Sequence, residues 1–137
     1  MSARIKILAA LYILALAGIV VLADIRETQY LFRPVRRLPY GDKIGHFLLM
    51  GMFSLVVNLV LRARTVRLFR KFGYLLGSLI VLAIVTAEEF SQIFVRGRSF
   101  DWTDLAADWA GIFIFGELAR FLSRRGFLRG KSFRQQA

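Results

Sequence analysis

Long apolar segments alternate with short charged ones along this chain. Three of the apolar segments contain no charged residue, and they run from Ile7 to Ala23, from Ile44 to Leu61 and from Phe72 to Ala87. With its flanking residues, each approaches the roughly 20 residues that an α-helix needs to cross the hydrocarbon core of a bilayer. The mean hydropathy of +0.55 is also unusual for a soluble domain. The pattern therefore predicts an integral membrane protein.

A fourth apolar segment, from Asp104 to Leu122, is less obvious because it contains Asp108, Glu117 and Arg120. Its centre, WAGIFIFG, is apolar, so we predict a fourth span there. Backbone groups in lipid have to satisfy their own hydrogen bonds, which favours helices. The predicted fold is an all-α, polytopic membrane protein with four transmembrane helices in a single domain. The spans are expected at about residues 5–23, 44–61, 72–92 and 104–122 of the domain 1–137, followed by a basic tail at 123–137.

The net charge of +11 arises from 20 Lys and Arg residues against 9 Asp and Glu residues. The basic residues flank the spans rather than forming one patch, which disfavours nucleic acid as a partner. Most of them lie before the first span, between the second and third, or after the fourth, whereas nearly all the acids lie on the opposite side. By the positive-inside rule, both termini are predicted to be cytoplasmic. The absence of cysteine excludes disulfides and thiolate metal ligands.

Polar residues on three of the predicted helices follow helical spacing, so each helix has one polar face. They are His46, Ser54 and Asn58 on the second helix, Ser78, Thr86, Glu89 and Gln92 on the third, and Asp101, Asp104 and Asp108 on the fourth. Such faces turn toward each other or toward water, because an ionised side chain at the bilayer centre costs at least about 2.5 kcal/mol. The three faces are therefore predicted to meet, with their charged ends together near the outer surface.

The charged layer at the outer end is the candidate site. Its predicted members are Asp42, Lys43, His46, Glu89, Gln92, Arg98, Asp101, Asp104 and Asp108. Glu88 and Glu89 point about 100° apart on a helix, and Glu89 is preferred because it shares a face with Gln92. Single members have ordinary structural explanations; Asp101 and Asp104, for example, suit the N-terminus of any helix. Together they carry more charge than helix packing needs, which favours a functional site.

Three short motifs hold these residues in order along the chain. They are DKIGH at Asp42–His46, EFSQ at Glu89–Gln92, and RSFDWTD at Arg98–Asp104 followed by DWAG at Asp108–Gly111. The motifs resemble those of the VanZ-like family of small bacterial membrane proteins, and the resemblance covers nearly the whole chain. It implies a multi-helix domain of the bacterial inner (plasma) membrane with the polar motifs close together. Asp108 stands where many members have asparagine, so an amide-specific role is not carried over to it.

The family's namesake is associated with glycopeptide (teicoplanin) resistance, and most members have no assigned biochemistry, so the resemblance adds no mechanism. From the residues, one hypothesis is an enzyme acting on an anionic envelope or lipid-linked substrate, with His46 or Glu89 as acid or base. Lys43 and Arg98 would then hold a phosphate or carboxylate, while the other predicted members contact the substrate. No cofactor is required, although the carboxylates and His46 are oxygen-rich enough for a divalent cation such as Mg²⁺ or Ca²⁺.

The alternative is a non-catalytic helper, or a structural module whose charge network only locks the helices together. The chain contains no Gly-rich phosphate loop, nucleophile elbow or HExxH motif. The sequence therefore leaves open which reaction takes place and whether one does.

Overall fold

Four α-helices contain most of the residues that the computed structural model describes, which are residues 3–24, 34, 37–69, 72–94 and 100–125. The helices are α1 (Ala3–Asp24), α2 (Gly41–Val60), α3 (Leu76–Ser91) and α4 (Trp102–Arg124), and a short 3-10 turn, Gln92–Phe94, extends α3. Two strands, β1 (Thr65–Phe69) and β2 (Phe72–Leu75), form an antiparallel hairpin between α2 and α3. The mostly helical architecture expected from hydropathy is confirmed.

Two of the described helical segments are long and apolar enough to cross a membrane. They are Gly41–Val60 and Leu76–Phe94, which overlap the second and third predicted spans. Only 22% and 33% of their most apolar windows are buried inside the molecule. A core helix of a soluble protein would bury most of such a surface, so lipid accounts better for these exposed apolar faces. The first and fourth predicted spans coincide with helices α1 and α4, and their passage through a membrane stays a prediction.

Helices α2, α3 and α4 enclose a small apolar core around Val81, Val85 and Ile112. The most extensive contact is between α2 and α4, which run in the same direction, while α3 runs antiparallel to both. A Cβ atom on Gly111 of α4 would overlap the backbone carbonyl oxygen of Phe47 on α2. Glycine at this position therefore lets the two backbones approach and fixes the register between their polar faces.

The polar faces of α2 and α3 meet inside the bundle, as their spacing predicts. Asn58 Nδ2 donates to Ser78 Oγ at 2.9 Å, and Ser54 Oγ donates to the carbonyl oxygen of Ile112 at 2.9 Å. All three polar side chains are buried. Hydrogen bonds between buried polar groups offset their desolvation, so this layer holds the helices together below the charged layer.

The prediction of one helix over residues 72–92 is wrong at its start, because Phe72–Leu75 forms strand β2. In the hairpin, Arg67 pairs with Gly73. Hydropathy marks residues as apolar without distinguishing helix from strand, and aromatic residues such as those in β2 favour strands. A lone two-stranded hairpin is marginally stable in water, and here Arg120 Nη2 of α4 donates to the carbonyl oxygen of Gly73 at 3.2 Å.

Candidate functional site

The predicted charged layer forms where the start of α2, the end of α3 and the start of α4 come together. The structure places there every predicted member except Arg98, which lies outside the described residues. From α2 come Asp42, Lys43 and His46, from α3 and its 3-10 turn come Glu89 and Gln92, and from α4 and its N-cap come Asp101, Asp104 and Asp108. The juxtaposition follows from the parallel packing of α2 and α4, since the two helices begin at the same end of the bundle.

His46 is the centre of this layer. Its Nδ1 lies 3.0 Å from Oδ1 of Asp108, whose side chain is only 1% exposed. With Asp108 ionised, its oxygen can only accept, and Nδ1–H then donates this hydrogen bond. The opposite ring nitrogen, Nε2, then lies 4.0 Å from Oδ2 of Asp104, one helical turn away from Asp108. The imidazole is thus oriented by one carboxylate and faces a second.

Lys43 neutralises part of the acidic charge around His46. Its Nζ donates to Oδ1 of Asp104 at 2.9 Å and lies 3.6 Å from Asp101 and 3.5 Å from Asp42. The bond to Asp104 is a charged link between α2 and α4 in addition to the His46–Asp108 bond. The lysine is partly exposed, so solvent screens its ion pairs and they add little to stability.

Glu89 is the buried carboxylate that α3 contributes. Its residue is only 2% exposed, whereas the adjacent Glu88 is half-buried. Gln92 Nε2 donates to Oε1 of Glu88 at 3.0 Å and to Oε1 of Glu89 at a longer 3.3 Å. Glu89 therefore faces the layer from α3, and Gln92 links the two glutamates.

Three of these residues have the geometry of a cation site. His46, Glu89 and Asp108 each offer one ligand atom, and the three atoms lie within 4.8 Å of one another. Two carboxylates with one imidazole form a hard, oxygen-rich donor set that suits Mg²⁺, Ca²⁺ or Mn²⁺. The cation would draw His46 and Asp108 into its own coordination, replacing the hydrogen bond between them.

Asp101 has a structural function in this layer. It is the N-cap of α4, and its Oδ1 accepts hydrogen bonds from the backbone N–H of Thr103 at 2.8 Å and from the Thr103 hydroxyl at 2.6 Å. These hydrogen bonds hold the pKa of Asp101 below its usual range. An ordinary helix cap thus accounts for this carboxylate, as the sequence alone allowed.

An aromatic cluster beside the charged layer was missed in the sequence reasoning. Phe100 stacks on Phe90 with 5.2 Å between ring centroids, and Trp102 meets Phe100 edge to face at 4.6 Å. Trp102 and Tyr40 are exposed at this same end of the bundle. The signal was available, since Trp and Tyr are enriched where membrane helices reach the lipid headgroups.

Apolar helices with a half-buried histidine and two buried carboxylates at one end define a helical membrane protein with an ionisable site. The chain belongs to the VanZ/LLP1 family, whose sequence model matches residues 8–123. The match includes every residue of the charged layer and confirms the resemblance carried by the three motifs. No curated protein and no solved structure matches the chain.

Proposed function

We propose that the charged layer binds the polar headgroup of an envelope lipid or lipid-linked precursor and modifies it by acid–base chemistry at His46. The observation that carries this proposal is the convergence of His46, Glu89 and Asp108 within 4.8 Å at the end of an apolar bundle. Withdrawing two carboxylates from water is costly, and ionisable groups inside membrane helices mark functional sites.

The roles follow from geometry and exposure. Asp108 holds the imidazole through Nδ1–H, which leaves Nε2 to take or give a proton, and the buried carboxylate stabilises the imidazolium that forms. The His46 side chain is 29% exposed, so a headgroup reaches the ring while the carboxylates behind it stay buried. Glu89 is the second acid–base group, and Lys43 attracts the anionic part of the substrate.

The exposed aromatic residues support a substrate that lies in the membrane. Trp102 and Tyr40 flank the layer, and side chains of this kind sit at the depth of the lipid headgroups. A headgroup at that depth meets His46 without leaving the bilayer surface. A soluble substrate would gain nothing from this position.

The proposed topology has four spans in the inner membrane, both termini in the cytoplasm and the charged layer outside. We expect a single cysteine at Leu38 to react with a membrane-impermeant maleimide in intact cells, and one at Arg125 to react only after permeabilisation. Both positions are exposed, and no native cysteine competes. Labelling of the Leu38→Cys protein only after permeabilisation would contradict the outward-facing site. The tail that carries much of the charge asymmetry, residues 126–137, lies outside the described part of the chain.

A divalent cation is proposed as an alternative ligand of the layer, since its binding to His46 and Asp108 would replace the hydrogen bond that the acid–base chemistry uses. Titration of purified protein with Mn²⁺, followed by the loss of the free-ion paramagnetic resonance signal, should show one bound ion. Glu89→Gln removes one charged ligand and is expected to weaken binding about tenfold or more. Glu117→Gln is the matched control, because it removes an exposed carboxylate at the other end of the bundle. Equal affinities for the two variants would exclude Glu89 as a ligand.

The experiment for the proposed function is a comparison of envelope lipids in a strain that lacks this protein. The strain is rescued with the wild type, Glu89→Gln or Glu117→Gln, and the abundance of each protein in the membrane is measured in parallel. We expect the wild type and Glu117→Gln to restore the same lipid species. Glu89→Gln should leave the lipid profile of the deletion strain in place at normal protein abundance. If Glu89→Gln restores the wild-type lipid profile, Glu89 takes no part in the chemistry.

A purely structural function is the second candidate, and one observation favours it. The two shortest charged links in the described part of the layer, His46–Asp108 and Lys43–Asp104, join α2 to α4. If these links only lock the helices together, their loss lowers the amount of folded protein. The lipid profile, compared with the wild type at equal protein abundance, should then be unchanged. Protein abundance therefore separates this candidate from the catalytic one.

A further inference from the structure

An open basic pocket of about 790 Å³ lies at the end of the bundle opposite the charged layer. It is formed between the β1–β2 hairpin, the turn that follows α2 and the last turn of α4. Its lining includes four arginines and two hydroxyl residues, which are Arg62, Arg67, Arg120, Arg124, Thr65 and Ser123. The volume is within the range of sites that hold small molecules or headgroups, and it is larger than a single inorganic ion needs.

Arg120 is held in place rather than free in solvent. Arg120 Nη2 donates to the carbonyl oxygen of Gly73, and its Nη1 lies 3.1 Å from Oε2 of the exposed Glu117. Its Nε and the hydroxyl of Ser123 are buried and have no hydrogen-bond partner among the described residues. Buried polar groups are normally satisfied, so these two unpaired groups mark a part of the pocket wall that lacks acceptor oxygens.

The turn that carries Arg62 supports the same inference. Helix α2 ends with Arg62 N–H donating to the carbonyl oxygen of Leu59 and Ala63 N–H donating to that of Asn58, which is a Schellman motif. Arg62 has a φ of 54°, in the left-handed region where glycine is usual. The Schellman motif requires this conformation at the residue after the helix, and it places the Arg62 guanidinium on the pocket wall.

We propose that this pocket binds a phosphate-bearing anion, presented either by an acidic membrane lipid or by a free phosphate compound. Guanidinium groups bind phosphate oxygens in pairs, and Glu117 is the one carboxylate that contacts the pocket's arginines in the described part of the chain. Basic pockets at the ends of membrane helices on the cytoplasmic side suit anionic headgroups, and the basic residues predict this end to be cytoplasmic. The site is independent of the charged layer and of its proposed chemistry.

The test uses the full-length protein in phosphatidylcholine nanodiscs that contain phosphatidylglycerol as a minor component. Native mass spectrometry counts the retained phosphatidylglycerol, and a calorimetric titration with inorganic phosphate measures the free anion separately. Arg67→Gln is the main variant, because the side chain of this exposed arginine makes no hydrogen bond or ion pair with another residue in the described part of the chain. It should weaken retention about tenfold, the effect of losing one charge-assisted contact. Arg120→Gln should weaken retention of phosphatidylglycerol to the same extent, and this result counts if the variant unfolds at the same temperature as the wild type.

Arg125→Gln is the matched control. Arg125 follows Arg124 directly at the end of α4, but its guanidinium lies over the Phe121 ring at 4.2 Å and does not line the pocket. Retention of phosphatidylglycerol that inorganic phosphate does not displace identifies a lipid headgroup, and binding of inorganic phosphate alone identifies a free compound. Either supports the pocket if Arg67→Gln loses it and Arg125→Gln keeps it. Binding of neither ligand, or equal losses in both variants, overturns the proposal.

Discussion

Gly111→Ala is expected to prevent α2 and α4 from packing as they do in the wild type. The added methyl group would overlap the carbonyl oxygen of Phe47, which is backbone and cannot rotate away as a side chain can. Overpacking typically costs about 1–3 kcal/mol, and a backbone obstacle places this variant at or above the upper end. The unfolding temperature of purified protein and its abundance in membranes should both fall sharply.

Gly45→Ala is the control for this prediction. Gly45 also lies in a helix, yet a Cβ atom there would meet nothing within 4 Å. Alanine is favoured over glycine inside a helix by up to about 1 kcal/mol, so this variant should be as stable as the wild type or more stable. If the two substitutions lower the unfolding temperature equally, α2 and α4 do not approach each other at Gly111 as closely as the structure shows.

His46→Asn is expected to abolish the modification of envelope lipids that we propose for the wild type, while the protein stays folded. The asparagine amide occupies about the position of Nδ1 and donates to Asp108, but it cannot take up or release a proton. General acid–base catalysis contributes about 10²–10⁴-fold, so the rescued strain should keep the lipid profile of the deletion strain. Lipid composition and membrane abundance are measured on the same cultures.

His46→Ala completes this comparison. It leaves Asp108 buried without its partner, and breaking a buried charged pair costs about 3–5 kcal/mol. We therefore expect His46→Ala to lose abundance as well as activity. If the layer only locks the helices, His46→Asn behaves like the wild type and only His46→Ala fails, which is the outcome that would reject the catalytic role.

Much of the charged layer could be predicted from the sequence because helical spacing is a local property. His46, Ser54 and Asn58 share a face whatever surrounds them, and membrane helices turn such faces inward. The pairing of His46 with Asp108 could not be predicted, because it depends on the register between α2 and α4. That register is set by the close approach at Gly111, which is a tertiary contact.

Other features escaped the sequence for different physical reasons. The β1–β2 hairpin was hidden because its second strand, Phe72–Leu75, is as apolar as the helix that follows it. From the sequence alone, the arginines of the basic pocket were interpreted as a topology signal. Their convergence required the hairpin to fold back toward the end of α4, and the bond from Arg120 to Gly73 records that contact.

The central claim is that the charged layer acts on a lipid of the envelope, and a reconstituted reaction tests it most directly. Purified wild type and His46→Asn are placed in vesicles made from the total envelope lipid of the deletion strain, and mass spectrometry follows every lipid species with time. The account predicts that the wild type converts one species and that His46→Asn leaves it unchanged. An identical lipid profile with both proteins, whether the species is converted by both or by neither, would contradict it.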